Sequence, residues 1–336
     1  MKFCVIGAGV QGISAALELQ SQFRNSEVTL IADKFCGETT SDVAAGIFRP
    51  TVNFTGASWE LSCKVLRDSY EHWDELRKGS DAGLNGVTQL SGYIFSKRSP
   101  ETVKNPLMKE IVPLYRTATQ DELELCNGGW KYGSFYNTLI TDCGLYLPWA
   151  LKKFKQNGGK THKMVLKSFS ELQNDSYDVV INCAGLGSRF LCNDTNIVPI
   201  RGQVYKVHAP WIKMAFYADD DTYAIPGCRS VSLGTCSNFD NYNTEWNEFD
   251  AASIRQRCFS LLPSLKNAKI IEKRVGLRPY RNPLRLEIEL KEDVNGKVMK
   301  IVHNYGHGAF GVMSAPGCAK FAVNLARDAI KSNSKL

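Results

Sequence analysis

No stretch of the 336-residue sequence stays apolar long enough to cross a bilayer, and no Cys-x-x-Cys occurs in it. A membrane span needs about 20 successive apolar residues. The apolar opening Phe3-Cys4-Val5-Ile6 is interrupted by Gly7, Gly9 and Gly12 before it could become a span or the core of a secretory leader. Without close cysteine pairs, the 11 cysteines do not read as a disulfide framework. Several, Cys4 and Cys183 among them, sit in apolar strand-like runs, so the set is expected to be reduced and mostly buried. No internal repeat or disordered linker is visible. The formal net charge of +7 comes from scattered Lys and Arg; Lys266-Asn267-Ala268-Lys269 and Lys291-Glu292-Asp293 read as solvated turns, which argues against a nucleic-acid surface. His303 and His307 stand four apart, but Gly306 and Gly308 argue against a helix presenting both rings, so no metal is expected.

What is present is an ordinary globular composition, 43% apolar and 22% charged, on a length that suits two domains sharing one interface. Residues 2–6 are nearly all apolar, as a central parallel strand buried on both faces requires. Gly7-Ala8-Gly9-Val10-Gln11-Gly12 follows, then a helical stripe of Ile13, Ala16, Leu17 and Leu19 ending near Gln22, then a second strand, Glu27 to Ala32. Gly7 permits the tight turn, Gly9 lets the backbone approach a pyrophosphate, and Gly12 lets helix and strand pack closely. Asp33 stands about twenty residues beyond the last glycine, where a carboxylate binds an adenosine ribose.

Further along, Thr39-Thr40-Ser41-Asp42-Val43-Ala44-Ala45-Gly46 supplies hydroxyls for phosphate oxygens and small residues beside which a flat ring fits; a capping turn before a helix reads equally well. Trp59 to Leu76 and Asp250 to Leu262 are expected helices, Leu139 to Phe154 another with Pro148 at its start or at a kink. Gly92 to Phe95 and Tyr177 to Cys183 read as strands, the latter ending in a glycine turn. From Ile197 the pattern becomes antiparallel: Gly202 to Val207, Tyr223 to Pro226, Val231 to Gly234. Gly276-Leu277-Arg278-Pro279-Tyr280-Arg281 continues strand-like to Leu286. A last strand, Lys300 to His303, is expected to enter a glycine-rich turn, and a helix to run from about Pro316 to Ile330.

Taken together, Val5-Ile6-Gly7-Ala8-Gly9-Val10, Thr39 to Gly46, Asn182-Cys183-Ala184-Gly185, Arg201-Gly202-Gln203, Gly276-Leu277-Arg278-Pro279 and His303-Asn304-Tyr305-Gly306-His307-Gly308 make the chain resemble the D-amino-acid oxidase family along nearly its whole length. The resemblance implies an α/β protein. A discontinuous Rossmann-like FAD-binding domain (1–54, 140–192, 300–336) would join an α+β substrate domain (55–139, 193–299) with a mixed, largely antiparallel sheet. It also implies non-covalent FAD, a D-amino acid substrate and oxygen as acceptor, the products being 2-oxo acid, ammonia and hydrogen peroxide.

The resemblance assigns the pyrophosphate to Gly7, Ala8, Gly9, Val10, Gln11 and Gly12, the ribose to Asp33 and Lys34, and the adenine side to Leu166. Thr39, Thr40, Ser41, Gly46 and Ile47 would line the cofactor. Gly308, Ala309, Gly311, Val312 and Met313 would offer amides to the flavin, with the Ala309 carbonyl facing the substrate amine. Arg278 would clamp the α-carboxylate, helped by Tyr223, while Arg281 and Arg285 are expected to be surface arginines. No side chain is needed as acid or base.

Aspartate-specific members of the family use extra cations, one in a lid loop and one after the strand that ends at Gly234. Here the lid region, Phe216 to Asp221, contains no arginine and the second position is Ser237. Arg49 is the candidate substitute. The short lid and Arg278-Pro279-Tyr280-Arg281 resemble the aspartate branch and favour acidic D-amino acids, while the missing arginines weigh the other way. Neutral ones, a glycine- or sarcosine-type substrate, or a non-catalytic flavin-binding interaction protein are the alternatives. The final Ser334-Lys335-Leu336 matches a peroxisomal address read by an import receptor. No membrane partner is expected, and oligomeric state is open.

Overall fold

The computed structural model describes residues 1–51, 53–54, 56–219, 222–292 and 298–333. Asp220, Asp221, Asp293 and the tripeptide Ser334-Lys335-Leu336 lie outside the described residues. The chain begins with β1 (Lys2–Ala8), α1 (Val10–Gln22), β2 (Glu27–Phe35), α2 (Thr40–Val43), α3 (Trp59–Lys78) and β3 (Val87–Ser96). It continues with α4 (Pro106–Ile111), β4 (Leu114–Thr117), β5 (Tyr132–Thr141), α5 (Cys143–Gln156), β6 (Lys160–Lys163), β7 (Val179–Asn182) and α6 (Ser188–Leu191). Then come β8 (Val198–His208), β9 (Ala215–Ala218), β10 (Thr222–Pro226), β11 (Val231–Gly234), β12 (Asn238–Phe239), α7 (Glu248–Leu261), β13 (Lys269–Glu292), β14 (Val298–His307) and α8 (Gly311–Asn333).

β14, β7, β1, β2 and β6 run parallel, with β1 between β7 and β2. β1 reads as uniformly apolar because both its faces are covered. Phe3 and Val5 pack with α1, α3, α5 and α8, whereas Cys4 and Ile6 pack with Leu166, Phe169 and Ile31 on the other side. β9, β10, β11, β8 and β13 pair antiparallel, and α7 covers one face of that half through Ala251, Ile254 and Cys258. This is the expected α/β class with a mixed, largely antiparallel second half.

The two halves share one sheet through β13, a 24-residue strand. Its first part pairs with β8 and its second with β14, and the register breaks between Tyr280 and Arg285. Pro279 and Pro283 lack the amides a regular ladder needs there.

Several element boundaries differ from expectation. Residues 132–141 are strand, and the helix starts only at Cys143, where the Asp142 carboxylate accepts from Gly144 N at 3.1 Å. Pro148 lies inside that helix rather than at its start. β14 continues through His307, so the glycine turn begins at Gly308 and α8 at Gly311. Pro316 therefore lies within α8.

The expected boundary after residue 54 does not coincide with a change of packing layer. α3 packs on α8 and contributes Val65, Leu66 and Trp73 to the cluster built on α1 and α5. Two of its side chains reach into the turn of α8 that contains Pro316. Ser69 Oγ accepts from Gly317 N at 2.9 Å, and Trp73 Nε1 donates to Met313 O at 3.2 Å. Gly317 permits this approach, because a Cβ there would overlap the Val65 carbonyl.

Ser69→Ala should lower the free energy of unfolding by about 1–3 kcal/mol by stranding the buried Gly317 amide. Urea unfolding of the variant beside wild type measures this, and no loss would show the contact to be dispensable.

Candidate active site

The crevice at the C-terminal end of β1 is built by close backbone approach. Gly7 takes φ +97°, and a Cβ on Gly12 would overlap the Gly7 carbonyl, so α1 can start directly over the strand. Val10 N, at the start of α1, donates to Ser41 Oγ at 3.0 Å, which draws the hydroxyl-rich segment over the helix N-terminus. That segment forms the one-turn α2. Thr39 flanks it, its hydroxyl donating to the Cys36 carbonyl at 2.7 Å, and Thr40 is exposed. Arg274 of β13 fixes the segment from outside, bonding Asp42 at 2.7 Å and the Gly37 carbonyl at 3.2 Å. Asp33 and Lys34 lie exposed near the end of β2, and Leu166 is buried beside Ile6 and Ile31. A backbone without Cβ atoms, next to helix N-terminal amides, fits a dinucleotide pyrophosphate.

The two glycine segments meet through side chains. Gln11 Nε2 donates to the Gly311 carbonyl at 2.8 Å, and Asn304 Nδ2 donates to Gln11 Oε1 at 3.2 Å. Asn304 Oδ1 and His307 Nε2 are buried without a hydrogen-bond partner. Two orphaned polar atoms beside the start of α8 suit the polar edge of a bound ring system. Ala309 is exposed; the side chains of Val312 and Met313 are in the core, leaving only their backbone for a ligand. The Met313 carbonyl already accepts from Trp73.

His303 Nε2 lies 2.9 Å from Glu289 Oε2, and its Nδ1 lies 3.3 Å from the Asn182 amide. Burial, with Arg285 nearby, lowers its pKa to about 4 despite Glu289, and burial alone lowers that of His307 to about 3. Both rings are neutral at pH 7. Among the described residues no group of three or more His, Cys, Asp and Glu is arranged to hold a metal.

The second half of the site is one face of the antiparallel sheet, and glycines clear it. Tyr223 of β10 pairs with Gly234 of β11, and a Cβ on Gly234 would overlap the Tyr223 ring. Gly202 of β8 would likewise overlap the Arg278 guanidinium. Both long side chains thus lie across neighbouring strands toward Thr235. Arg278 Nη2 donates to Thr235 Oγ1 at 3.1 Å and Nη1 to the Cys236 carbonyl at 3.4 Å, while the Tyr223 hydroxyl lies over Gly234, the residue before Thr235. Burial raises the Tyr223 pKa strongly, with Arg278 opposing. The phenol remains a donor. Val43, Ala45 and Ile47 pack against this face beside Tyr223, and Gly46 sits against the backbone of Thr141.

Arg49 projects toward the same face, its guanidinium 4.0 Å from the Tyr217 ring centroid, and Tyr217 lies 5.5 Å from Tyr223 between centroids. Asp219 is engaged elsewhere, accepting from Ser96 Oγ at 2.8 Å and Lys97 N at 2.9 Å. Arg281 and Arg285 are not the expected surface arginines. Arg281 pairs with the buried Asp194 at 2.7 Å. Arg285 bonds Glu287 at 2.7 Å, Glu289 at 2.9 Å and the Tyr305 hydroxyl at 3.1 Å. The cause is that Arg281 and Arg285 stand on half-buried positions of β13, inside the sheet, within reach of Asp194, Glu287, Glu289 and Tyr305. Tyr217, Thr235 and Arg274 were not singled out by the sequence. Gly202 and Gly234 were the available signal, since each sits beside the side chain it accommodates.

All 11 cysteines are free, and seven of them (Cys4, Cys63, Cys126, Cys143, Cys183, Cys258 and Cys318) are buried.

A family profile described as DAO, FAD dependent oxidoreductase, matches residues 2–325. A Homo sapiens protein named D-aspartate oxidase is 36% identical over 336 residues, covering 98% of this chain and 95% of its own. A Dugesia ryukyuensis protein named D-amino acid oxidase is 36% identical over 332 residues, covering 98% of each. The solved structure of glycine oxidase from Geobacillus kaustophilus superposes with a TM-score of 0.78, covering 97% of this chain and 94% of that one. At 16% identity it speaks to the fold alone.

The depressed histidines set a pH dependence. Their folded pKa values lie below the ordinary value of about 6.5, so the unfolded chain binds more protons and stability is lost as pH falls below about 6.5. The slope is about 1.4 kcal/mol per pH unit for each histidine until pH nears the folded values. Urea unfolding at pH 6 and pH 5 should show a loss of about 2–3 kcal/mol from His303 and His307, with burial of His72 adding in the same direction, and a smaller loss in His307→Gln. Equal stability at the two pH values would contradict burial of neutral imidazoles.

Proposed function

Because the chain belongs to the FAD-dependent oxidoreductase family, we propose that it deaminates D-amino acids oxidatively, with acidic side chains favoured. The products are 2-oxo acid, ammonia and hydrogen peroxide. FAD, held non-covalently, would supply the acceptor for hydride from the substrate Cα and pass the electrons to oxygen. Gly7, Gly9, Gly12 and the α1 amides would hold its pyrophosphate, with Asp33 and Lys34 toward the ribose. Gln11 and the segment from Gly308 to Met313 would lie toward the ring.

The observation that carries the reading is the convergence of Arg278 and Tyr223 on Thr235 across Gly202 and Gly234. A planar guanidinium matches a carboxylate as a two-donor fork, and Arg278 has only neutral oxygen acceptors. The Tyr223 phenol, kept protonated by burial, adds a second donor. It therefore positions substrate and does not take its proton. The Ala309 carbonyl would accept from the substrate amine. With carboxylate and amine both held, the remaining Cα substituents are fixed in handedness, and orientation is the protein's main contribution to rate.

The acidic preference is supported by the relative named D-aspartate oxidase and by the position of Arg49. Ser237 and the absence of arginine from the sequence Phe216 to Asp221 favour neutral substrates instead. Ser334-Lys335-Leu336 is proposed as the ligand of the peroxisomal import receptor. Deleting it should leave a fluorescent fusion cytosolic, and peroxisomal retention of the deletion would end that proposal.

Arg278→Ala should lower kcat/KM for every D-amino acid by about 100-fold or more, because a charge-assisted two-point contact is lost. Gly202→Ala should do the same at nearly unchanged stability, since its Cβ displaces only the flexible end of Arg278. A D-amino acid panel with peroxide detection measures both. Full turnover in Arg278→Ala would sink the clamp.

A further inference from the structure

Two buried donors on the far side of Tyr217 have nothing to bind. Arg49 Nε is buried without a hydrogen-bond partner, and so is the phenol oxygen of Tyr136. The charge of Arg49 acts on the Tyr136 phenol, as does Tyr217, so the three groups share one neighbourhood. Tyr115 is there too, but its hydroxyl is already bonded to the Val103 carbonyl and to Ser134 Oγ. Among the described residues no carboxylate pairs with Arg49.

The local structure holds these donors in place. On one side of Arg49, Phe48 N donates to the Leu139 carbonyl at 2.8 Å and Phe48 O accepts from Thr138 Oγ1 at 2.7 Å. On the other side, the Pro50 carbonyl accepts from Asn105 Nδ2 at 2.7 Å. Tyr136 of β5 pairs with Gly92 of β3, which pairs with Ala215 of β9, and a Cβ on Gly92 would press on the Tyr136 hydroxyl. The phenol thus lies across a strand position bare of side chain, as Tyr223 and Arg278 do. Tyr217, two residues beyond Ala215 and paired with Tyr223, shares that face.

An unpaired guanidinium with an unpaired phenol beside it presents a cation and a neutral donor to one small anion. Leaving such donors buried and unmatched is unfavourable, so an anion that reached both would be stabilised there. We propose that Arg49 and Tyr136 bind the distal carboxylate of a short dicarboxylic D-amino acid whose α-carboxylate lies on Arg278 and Tyr223. The inference rests on the oxidase reading above and names the source of its acidic preference. Tyr217 lies between the two carboxylate sites, its ring under Arg49 and tilted at 48° to that of Tyr223.

The test uses FAD-loaded enzyme with D-aspartate and D-glutamate beside D-asparagine and D-glutamine. In Arg49→Gln, kcat/KM for the acids should fall about 100-fold while the amides stay within about threefold. Arg49→Lys should recover part of the loss. Tyr136→Phe should cost the acids alone about two- to tenfold. Malonate, followed by the change it causes in the flavin spectrum, should bind wild type more tightly than propionate, and Arg49→Gln should abolish that difference. Parallel loss of acids and amides, or no loss of either, overturns the subsite; turnover of the amides by wild type would leave the oxidase reading standing. If wild type bleaches with no D-amino acid, the oxidase reading falls and the subsite with it.

Discussion

One strand, β13, fixes where the two halves of the molecule stand. It pairs with β8 over its first part and with β14 over its second, so the substrate face and the nucleotide crevice hang from the same backbone. Arg278 is two residues from Tyr280, which pairs with His307 at the brink of the Gly308 turn. Arg274, four residues earlier, bonds Asp42 in the segment that covers the N-terminus of α1. A clamp, a turn and a loop that must act on one bound pair are thereby set by register, with no hinge in the strand between them. Gln11 closes the arrangement from the other side by bridging Asn304 and Gly311.

The substrate face depends on strand positions that carry no side chain. Gly92, Gly234 and Gly202 lie on three different strands, and each lets a long side chain from the next strand lie flat across it. Tyr136, Tyr223 and Arg278 can therefore reach inward along the sheet instead of standing away from it. Side chains in such a position have few alternative rotamers, and the order they carry is present before any ligand arrives. The cost falls on the strands, since glycine in a strand gives up packing and backbone entropy. β8, β11 and β3 are interior strands of the sheet, where pairing on both edges offsets it.

Much of this was legible in the sequence. The first strand, its glycines and the helix after it follow from local periodicity and turn chemistry, which act over a few residues. Arg278 and Tyr223 came from resemblance, and the structure adds that they converge. The fusion of the halves through β13 was not legible, because strand pairing joins residues far apart and its alternation looks the same whichever neighbour it acquires. For the same reason the end of β5, from Leu139, reads as the start of a helix: the apolar run there fits either element until its partner β3 is known. The early start of α8 was hidden by Pro316, which normally argues for a helix boundary but here sits where Ser69 and Trp73 meet the neighbouring backbone groups.

The arginines show most clearly what sequence withholds. β13 carries Arg274, Arg278, Arg281 and Arg285, alike in type and in strand context. Arg274 has Asp42, Arg281 has Asp194, and Arg285 has Glu287 and Glu289. Those three charges are spent within the fold. Arg278 has neutral oxygens only, and Arg49 has an aromatic face. Both are half-buried, and a guanidinium partly withdrawn from water without a counter-ion gains when an anion arrives to complete it. On the proposed reading, two such cations, with the Tyr217 and Tyr223 rings between them, would select for a ligand with two negative ends. The selection comes from where carboxylates are missing, a property no single residue in the sequence displays.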